Sequence, residues 1–151
     1  DQSSAASDVY KRQSLKLYIF RDKYIDMGLF NAYFRDEKNV WPGPKLEDMV
    51  QFDMLMTNSF STPQIIFKHS TRCSISRFVL NAFIANYGYS PQDFGAWYLD
   101  LLEYRPISNM IAQRLDVVHE SPQVIIIKNG KTLEIASHEN INNLLLSEFL
   151  N

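Results

Sequence analysis

The spacing of hydrophobic residues changes several times after residue 44, and each change predicts a separate element. Apolar residues recur every three or four positions over 45–57, as in an amphipathic helix, and they are Leu46, Met49, Val50 and Met54. The continuous apolar run at 64–68 has the length of a strand, and helical spacing then returns over 74–87. We therefore expect a helix, a strand and a second helix in this order.

The same strand and helix pattern occurs once more after a loop at 88–95. A strand is predicted at 97–101, and the helix that follows has the apolar stripe Ile107, Met110, Ile111 and Leu115. Pro106 can open this helix at its first position. Because strands joined through a helix run parallel by a right-handed crossover, the two strands are expected to be parallel.

A different topology is predicted for the last third of the chain. Apolar runs at 124–127 and 132–136 are separated by a segment containing Asn129 and Gly130, and this is the strongest short signal for a β-hairpin. A final helix is predicted with an apolar face of Ile141, Leu144, Leu145 and Phe149. The sequence thus predicts an α/β fold with the core order βαβαββα, an additional N-terminal helix, and a mixed sheet flanked by helices.

In the first quarter of the chain the hydrophobic residues follow neither a helical nor a strand spacing, and we assign no fold to it. Within residues 1–26, the run from Ser4 to Gln13 resembles the translated linker found at the edges of some assembled sequences, so this segment is interpreted as a non-native or disordered leader. Met27 is then a plausible natural start. Residues 27–44 are assigned to an N-terminal extension, and residues 45–151 to the folded domain.

Composition excludes several classes of protein. A single cysteine excludes a disulfide framework and thiolate-rich zinc sites, and the three histidines are too scattered for a histidine metal signature. A net charge of −2 gives no electrostatic footprint for nucleic acid. No apolar run approaches the roughly 18 residues that span a bilayer. We expect no metal, no nucleic acid partner and no membrane partner, and a reducing cytoplasm in which a lone thiol stays free.

Cys73 stands where the predicted strand at 64–68 gives way to the helix at 74–87. Functional groups collect where the strands of a βαβ unit end and its helices begin. Unpaired backbone N–H groups and the positive end of the helix dipole stabilise a thiolate at such a position. Lys68, His69 and Arg72 can add positive potential.

Ser76 lies one helical turn beyond Cys73 and gives the sequence C-x-x-S. Its hydroxyl could donate a hydrogen bond to the Cys73 thiolate, but it cannot resolve a mixed disulfide. The spacing therefore predicts a monothiol mechanism.

Pro122 begins the strand that precedes the predicted hairpin. If this strand runs antiparallel to the strand at 64–68, its beginning lies beside the end that leads to Cys73. A cis Ser121–Pro122 bond there would turn neighbouring backbone groups toward a ligand.

Three segments, Phe67–Ser76, Tyr98–Asn109 and His119–Gln123, resemble the monothiol bacilliredoxins, the YtxJ-like proteins of the bacillithiol system. The resemblance extends from about residue 64 to residue 141, with the segments in the right order and at the right separations. It implies a thioredoxin-like fold, with Cys73 as the nucleophile and Ser76 in the position of a resolving cysteine. Pro122 would be the cis-proline that faces the thiol.

The resemblance also implies an activity, namely the removal of bacillithiol from S-bacillithiolated proteins in the bacterial cytoplasm. No bound cofactor is expected; bacillithiol is the co-substrate, and the partners are modified proteins and a low-molecular-weight thiol. Because bacillithiol carries a malate moiety, basic side chains are predicted to contact its carboxylates. The full set of predicted substrate-binding residues is Lys68, Thr71, Arg72, Arg105, Ser121 and Pro122.

Other interpretations remain open at this stage. An isolated cysteine is more often an inert core residue than a reactive one. A non-catalytic thioredoxin-like module could use Cys73 as a sensor that accepts a small thiol without transferring it. A monothiol glutaredoxin-like protein, associated with iron and sulfur, is the third alternative, although the usual C-G-F-S motif is replaced here by C-S-I-S.

Overall fold

The computed structural model describes residues 40–150. The interpretations of residues 1–26 and of most of the extension lie outside the described residues. The helices of the described part are α1 (Met49–Asn58), α2 (Ser74–Asn86) and α3 (Arg105–Leu115). Its strands are β1 (Gln64–His69), β2 (Gly95–Asp100), β3 (Gln123–Lys128) and β4 (Lys131–Ser137), and two short 3-10 helices follow at His138–Asn143 and Leu146–Phe149. No helix among residues 40–150 is long and apolar enough to cross a bilayer.

The strands form one mixed sheet in the order β2-β1-β3-β4. β1 runs parallel to β2 and antiparallel to β3, and β3 runs antiparallel to β4. Lys68, near the end of β1, is paired with Gln123 at the beginning of β3. The predicted topology is confirmed, and the start of β3 lies beside the end of β1 as expected.

Two hydrophobic clusters cover the two faces of the sheet. The first lies under α2 and contains Ile65, Phe67, Val79, Phe83 and Val124. The second lies under α1 and α3 and contains Phe52, Leu55, Ile66, Ile111 and Ile125. Because both faces of β1 are covered, a continuous apolar run occupies this strand instead of an alternating one.

The hairpin between β3 and β4 is confirmed. Asn129 and Gly130 have φ values of 53° and 71°, the left-handed backbone that a two-residue turn of type I′ requires. Ser59 holds this turn from the end of α1: its carbonyl accepts from the Asn129 N–H at 2.8 Å, and its hydroxyl oxygen accepts from the Gly130 N–H at 2.9 Å.

The predicted final helix is wrong, because two separate 3-10 helices occupy this region. The break falls at Leu144, whose backbone is extended. Asparagines at 140, 142 and 143 favour turns over helix interiors, since their side chains compete for backbone hydrogen bonds. Ile141 and Leu146 reach the first cluster without a continuous helix, whereas Leu145 is 63% exposed.

The start and the buried face of α1 also differ from the prediction. Asp48 accepts from the Gln51 N–H at 2.7 Å, and the Gln51 side chain accepts from the Asp48 N–H at 3.2 Å, so a capping box fixes the start of the helix at Met49. The buried face of this helix carries Phe52 and Leu55. The predicted apolar residue Val50 is 78% exposed.

Leu46 precedes α1 and belongs to a strap of residues 41–46 that runs along the edge of β2. The Leu46 N–H donates to the Tyr98 carbonyl at 2.7 Å, and the Tyr98 N–H donates to the Pro44 carbonyl at 3.1 Å. Trp41, which sequence reasoning placed in the extension, stacks on Phe83 and packs against the first cluster.

The strap leaves no room for a side chain at Gly43. A Cβ atom there would overlap the backbone carbonyl oxygen of Ala96, which is fixed in β2. We expect Gly43→Ala to lower the free energy of unfolding by about 1–3 kcal/mol, because the strap must shift away from the sheet. Gly88→Ala is the matched control, since nothing lies within 4 Å of its Cβ position. Urea unfolding measures both variants, and equal midpoints would contradict this packing.

Candidate active site

Buried polar side chains concentrate at one end of the sheet, where β1 and β2 end and β3 begins. They are Lys68, His69, Ser76, Ser108 and Gln123. We call this region the polar edge and include Cys73 and Pro122 in it. The carboxyl ends of parallel strands are where α/β folds collect functional groups, so the polar edge is the candidate site.

Cys73 occupies the junction of β1 and α2 that the sequence predicted. It is the N-cap of α2, and its thiol is free and partly exposed. The Cys73 N–H donates to the Ser70 carbonyl at 3.1 Å, and the Cys73 carbonyl accepts from the Arg77 N–H at 3.0 Å. Its side chain makes no capping hydrogen bond. A thiolate here would face the unpaired N–H groups and the positive dipole end of α2.

Ser76 is completely buried, and its hydroxyl is engaged away from Cys73. Ser76 Oγ lies 2.7 Å from His69 Nδ1 and accepts from the Ser70 N–H at 3.2 Å. The expected hydrogen bond from Ser76 to the Cys73 sulfur is not present. The structure therefore corrects the local role predicted for Ser76, because the neighbours of its hydroxyl are a buried imidazole and a backbone amide.

His69 ends β1 and is 3% exposed. Its ring lies 5.8 Å from the ring of Tyr98. Burial lowers the pKa of His69, and the positive charge of Arg77 acts in the same direction, whereas Asp100 and a hydrogen bond with the backbone of Ser76 raise it. The sequence marked His69 as the histidine closest to the site, but its contact with Ser76 was missed. The sequence signal for this contact is weak: a histidine at the end of a predicted strand and a serine in the first turn of the following helix.

Pro122 is buried and follows a cis peptide bond from Ser121. Its carbonyl accepts from the His138 N–H at 3.0 Å. Within residues 40–150, the buried side-chain oxygens Ser121 Oγ and Gln123 Oε1 have no hydrogen-bond partner. Unpaired polar atoms therefore stand on both sides of Pro122, at the end of the sheet that carries Cys73.

Lys68 is 0% exposed and lies on the other face of the sheet from His69. Its ammonium contacts the Ser108 carbonyl of α3 at 3.4 Å, and burial lowers the pKa of Lys68 to about 8. The Lys68 amine is therefore buried beneath the polar edge, against α3, and does not reach the protein surface. In this structure it cannot contact the carboxylate of an external ligand.

Arg105 and His119 link the start of α3 to the loop before Pro122. Arg105 donates to His119 Nε2 at 3.3 Å, and His119 Nδ1 lies 3.3 Å from the Ser108 hydroxyl. Burial lowers the pKa of His119, and the charges of Lys68 and Arg105 lower it further, whereas Glu120 opposes them. A neutral ring with its hydrogen on Nδ1 satisfies both contacts. Sequence reasoning missed this link.

Thr71 and Arg72 form the turn between β1 and Cys73. The Thr71 carbonyl accepts from the Arg77 side chain at 3.0 Å, and the Arg72 side chain is exposed. Of the basic residues predicted to meet substrate, Arg72 and Arg105 are therefore accessible, and Lys68 is not.

The arrangement allows exchange with an external disulfide but no internal resolution. Cys73 is the single cysteine of the sequence, and position 76 supplies a hydroxyl that cannot form a disulfide. Any mixed disulfide formed on Cys73 must therefore be released by a thiol from another molecule.

Comparison with known proteins is consistent with this chemistry. The family model described as monothiol bacilliredoxin BrxC matches residues 44–146. A solved structure of a proposed oxidoreductase with a thioredoxin fold is 27% identical to this chain with a TM-score of 0.56, and the match covers 77% of this chain and 96% of that one.

Two thioredoxins match through their fold. Thioredoxin (Mala s 13) from Malassezia sympodialis has 13% identity and a TM-score of 0.60, covering 74% of this chain and 94% of its own. Thioredoxin O2 from Arabidopsis thaliana has 15% identity and a TM-score of 0.58, covering 73% of this chain and 96% of its own. The predicted thioredoxin-like α/β fold is confirmed.

The buried amine of Lys68 predicts a pH-dependent stability. Its pKa is about 8 in the folded protein against 10.5 ordinarily, so folding carries a cost that is constant below pH 8 and disappears as pH rises toward 10.5. We expect Lys68→Met to raise the free energy of unfolding by about 1–3 kcal/mol at pH 7, since a buried charge is replaced by an apolar chain. The difference from wild type should shrink between pH 8 and 10.5.

Chemical unfolding of both proteins across this pH range tests the prediction. Lys131→Met is the control, because Lys131 is exposed on β4 and its replacement removes no buried amine. A stability difference between Lys68→Met and wild type that stays constant with pH would mean that Lys68 is not desolvated.

Proposed function

The chain belongs to the monothiol bacilliredoxin family, as its sequence resemblance predicted, and on this premise we propose that Cys73 removes bacillithiol from S-bacillithiolated proteins. Family and fold support a thiol redox role. The observation that carries the proposal is a single free thiol, partly exposed at the N-terminus of α2, with a hydroxyl one turn later that is bonded elsewhere.

The proposed reaction consists of two exchanges. The Cys73 thiolate attacks the bacillithiol sulfur of the modified protein, the disulfide bond of the substrate breaks, and the target protein leaves as a thiolate that takes a proton from water. Cys73 then carries bacillithiol in a new mixed disulfide. A second low-molecular-weight thiol attacks the bacillithiol sulfur, forms a disulfide with it, and releases the Cys73 thiolate.

The surroundings of Cys73 support the first exchange. Cys73 stands at the N-terminus of α2, and the unpaired N–H groups of a helix start can donate to negative charge that develops beside them during the exchange. Ser121, a half-buried residue whose hydroxyl oxygen has no partner within residues 40–150, is proposed to contact the substrate beside Pro122 once this oxygen is uncovered. Thr71 and Pro122 belong to the same proposed contact surface, and the partners are modified proteins and a small thiol in the cytoplasm.

Adduct formation tests the assignment directly. Incubation of the reduced protein with a bacillithiolated substrate is expected to transfer one bacillithiol to Cys73, detected as a mass increase on the peptide that contains this residue. Cys73→Ala should show no adduct, and Ser74→Ala, a change at an exposed neighbour, should keep it. Absence of the adduct from reduced, accessible Cys73 would refute the proposal.

Turnover separates the alternatives. Continued release of target thiol with added bacillithiol indicates a de-bacillithiolating enzyme, whereas one adduct without turnover indicates a sensor. A preference for glutathione mixed disulfides over bacillithiol mixed disulfides would instead indicate a glutaredoxin-like protein.

Arg72 and Arg105 are proposed to bind the carboxylates of bacillithiol, since both are exposed at the polar edge. Each exposed charge pair contributes up to about 1 kcal/mol, so Arg72→Gln and Arg105→Gln should each raise KM about two- to fivefold. The rate with an uncharged mixed disulfide of mercaptoethanol should stay unchanged. Arg114→Gln is the control, because Arg114 pairs with Asp53 at the other end of α3. Unchanged KM in both active-site variants would remove this contact.

A further inference from the structure

His69 and Ser76 form the shortest polar contact of the polar edge, at 2.7 Å, and both side chains are buried. They come from different elements, since His69 ends β1 and Ser76 lies in the first turn of α2. The pair therefore joins the strand before Cys73 to the helix after it.

Hydrogen counting decides the direction of this bond. The Ser70 N–H already donates to Ser76 Oγ at 3.2 Å, and a serine hydroxyl has a single hydrogen to give. Within residues 40–150 the acceptor in contact with that hydroxyl is His69 Nδ1. If Nδ1 carried a proton instead, the hydroxyl hydrogen would have to leave this contact, and within residues 40–150 no other acceptor is in hydrogen-bond contact with it.

The surroundings of the ring favour the neutral form that this bond needs. Burial lowers the pKa of His69 and is the largest effect, and Arg77 of α2 acts in the same direction, whereas Asp100 of β2 and a backbone hydrogen bond with Ser76 oppose it. Tyr98, also of β2, packs against the ring. With the ring hydrogen on Nε2, the Nδ1 lone pair is available to Ser76.

We infer that His69 is a positioning residue that takes the hydrogen of the Ser76 hydroxyl and thereby keeps this hydroxyl from bonding the Cys73 sulfur. The inference rests on the proposed function only in treating Cys73 as the reacting thiol. Its consequence is that the thiolate meets the backbone N–H groups of α2 and no side-chain donor at position 76, which leaves the sulfur lone pairs more reactive toward disulfides.

Alkylation of Cys73 by iodoacetamide over a range of pH tests the inference without bacillithiol. In His69→Leu the acceptor is lost, and the Ser76 hydrogen is free to bond the thiolate one turn away. A hydrogen bond to the charged form should lower the midpoint of the alkylation curve by about one pH unit and reduce its high-pH plateau several-fold. His69→Asn, whose amide oxygen can replace Nδ1 as the acceptor, should restore the wild-type curve within about twofold.

The double variant His69→Leu/Ser76→Ala makes the test specific. Without the hydroxyl, the effect of His69→Leu on the curve should disappear. A shift that persists in the Ser76→Ala background would overturn the inference, because His69 would then act on Cys73 independently of Ser76. An unchanged curve in His69→Leu would overturn it as well.

The wild-type protein offers a measurement that does not depend on whether the variants fold. Two-bond proton–nitrogen correlation spectra of the imidazole distinguish the tautomers at pH 7. We expect His69 with its proton on Nε2 and an unprotonated Nδ1, and a proton on Nδ1 would refute the inference. None of these measurements uses bacillithiol. A failure of this inference can therefore be distinguished from a failure of the proposed function.

Discussion

Both faces of β1 are covered, because α2 packs on one side of the strand while α1 and α3 pack on the other. All six of its residues are buried, including the last two, Lys68 and His69. For the apolar residues this burial is favourable at about 25 cal/mol per Å². For Lys68 and His69 the same burial is costly unless polar partners are provided. The side chains and carbonyls of the polar edge supply the polar partners that Lys68 and His69 need.

Alternation along the strand divides these partners between the two faces. Lys68 turns toward α3 and contacts the Ser108 carbonyl, and Ser108 in turn contacts His119 in the loop before Pro122. His69 turns toward α2 and contacts Ser76. One residue therefore supports the loop that carries the cis-proline, and the next supports the helix turn that carries Cys73. The two halves of the site are held by consecutive residues of one strand.

Local signals in the sequence were sufficient for much of the fold and for the position of the thiol. Asn129-Gly130 encoded its hairpin because the left-handed backbone of that turn depends on those two residues. The strand before Cys73 and the helix after it were recognisable from spacing alone. The start of β3 lies beside the end of β1, as was expected if these strands are antiparallel.

Contacts between distant elements were not predictable in this way. The hydroxyl of Ser76 was assigned to Cys73, its neighbour on the helix, because the position of His69 depends on how β1 packs against α2. Lys68 was predicted to contact the carboxylates of bacillithiol, which requires an accessible amine, and its burial follows from coverage of β1 on both faces. The inward face of α1 was misjudged because Leu46, which lies before the Asp48–Gln51 capping box and outside the helix, was counted in its apolar stripe.

The site has one thiol because position 76 is a serine, and the groups around position 76 favour a serine over a cysteine. An oxygen atom at this position accepts from the Ser70 amide at 3.2 Å and meets the His69 ring at 2.7 Å, which are ordinary distances for a hydroxyl. A sulfur atom is larger and is both a weaker donor and a weaker acceptor, so it would satisfy neither group as well in the same buried space. The surroundings therefore favour a serine that holds the first turn of α2, and with the hydroxyl committed to that support, Cys73 depends on an external thiol to complete each exchange.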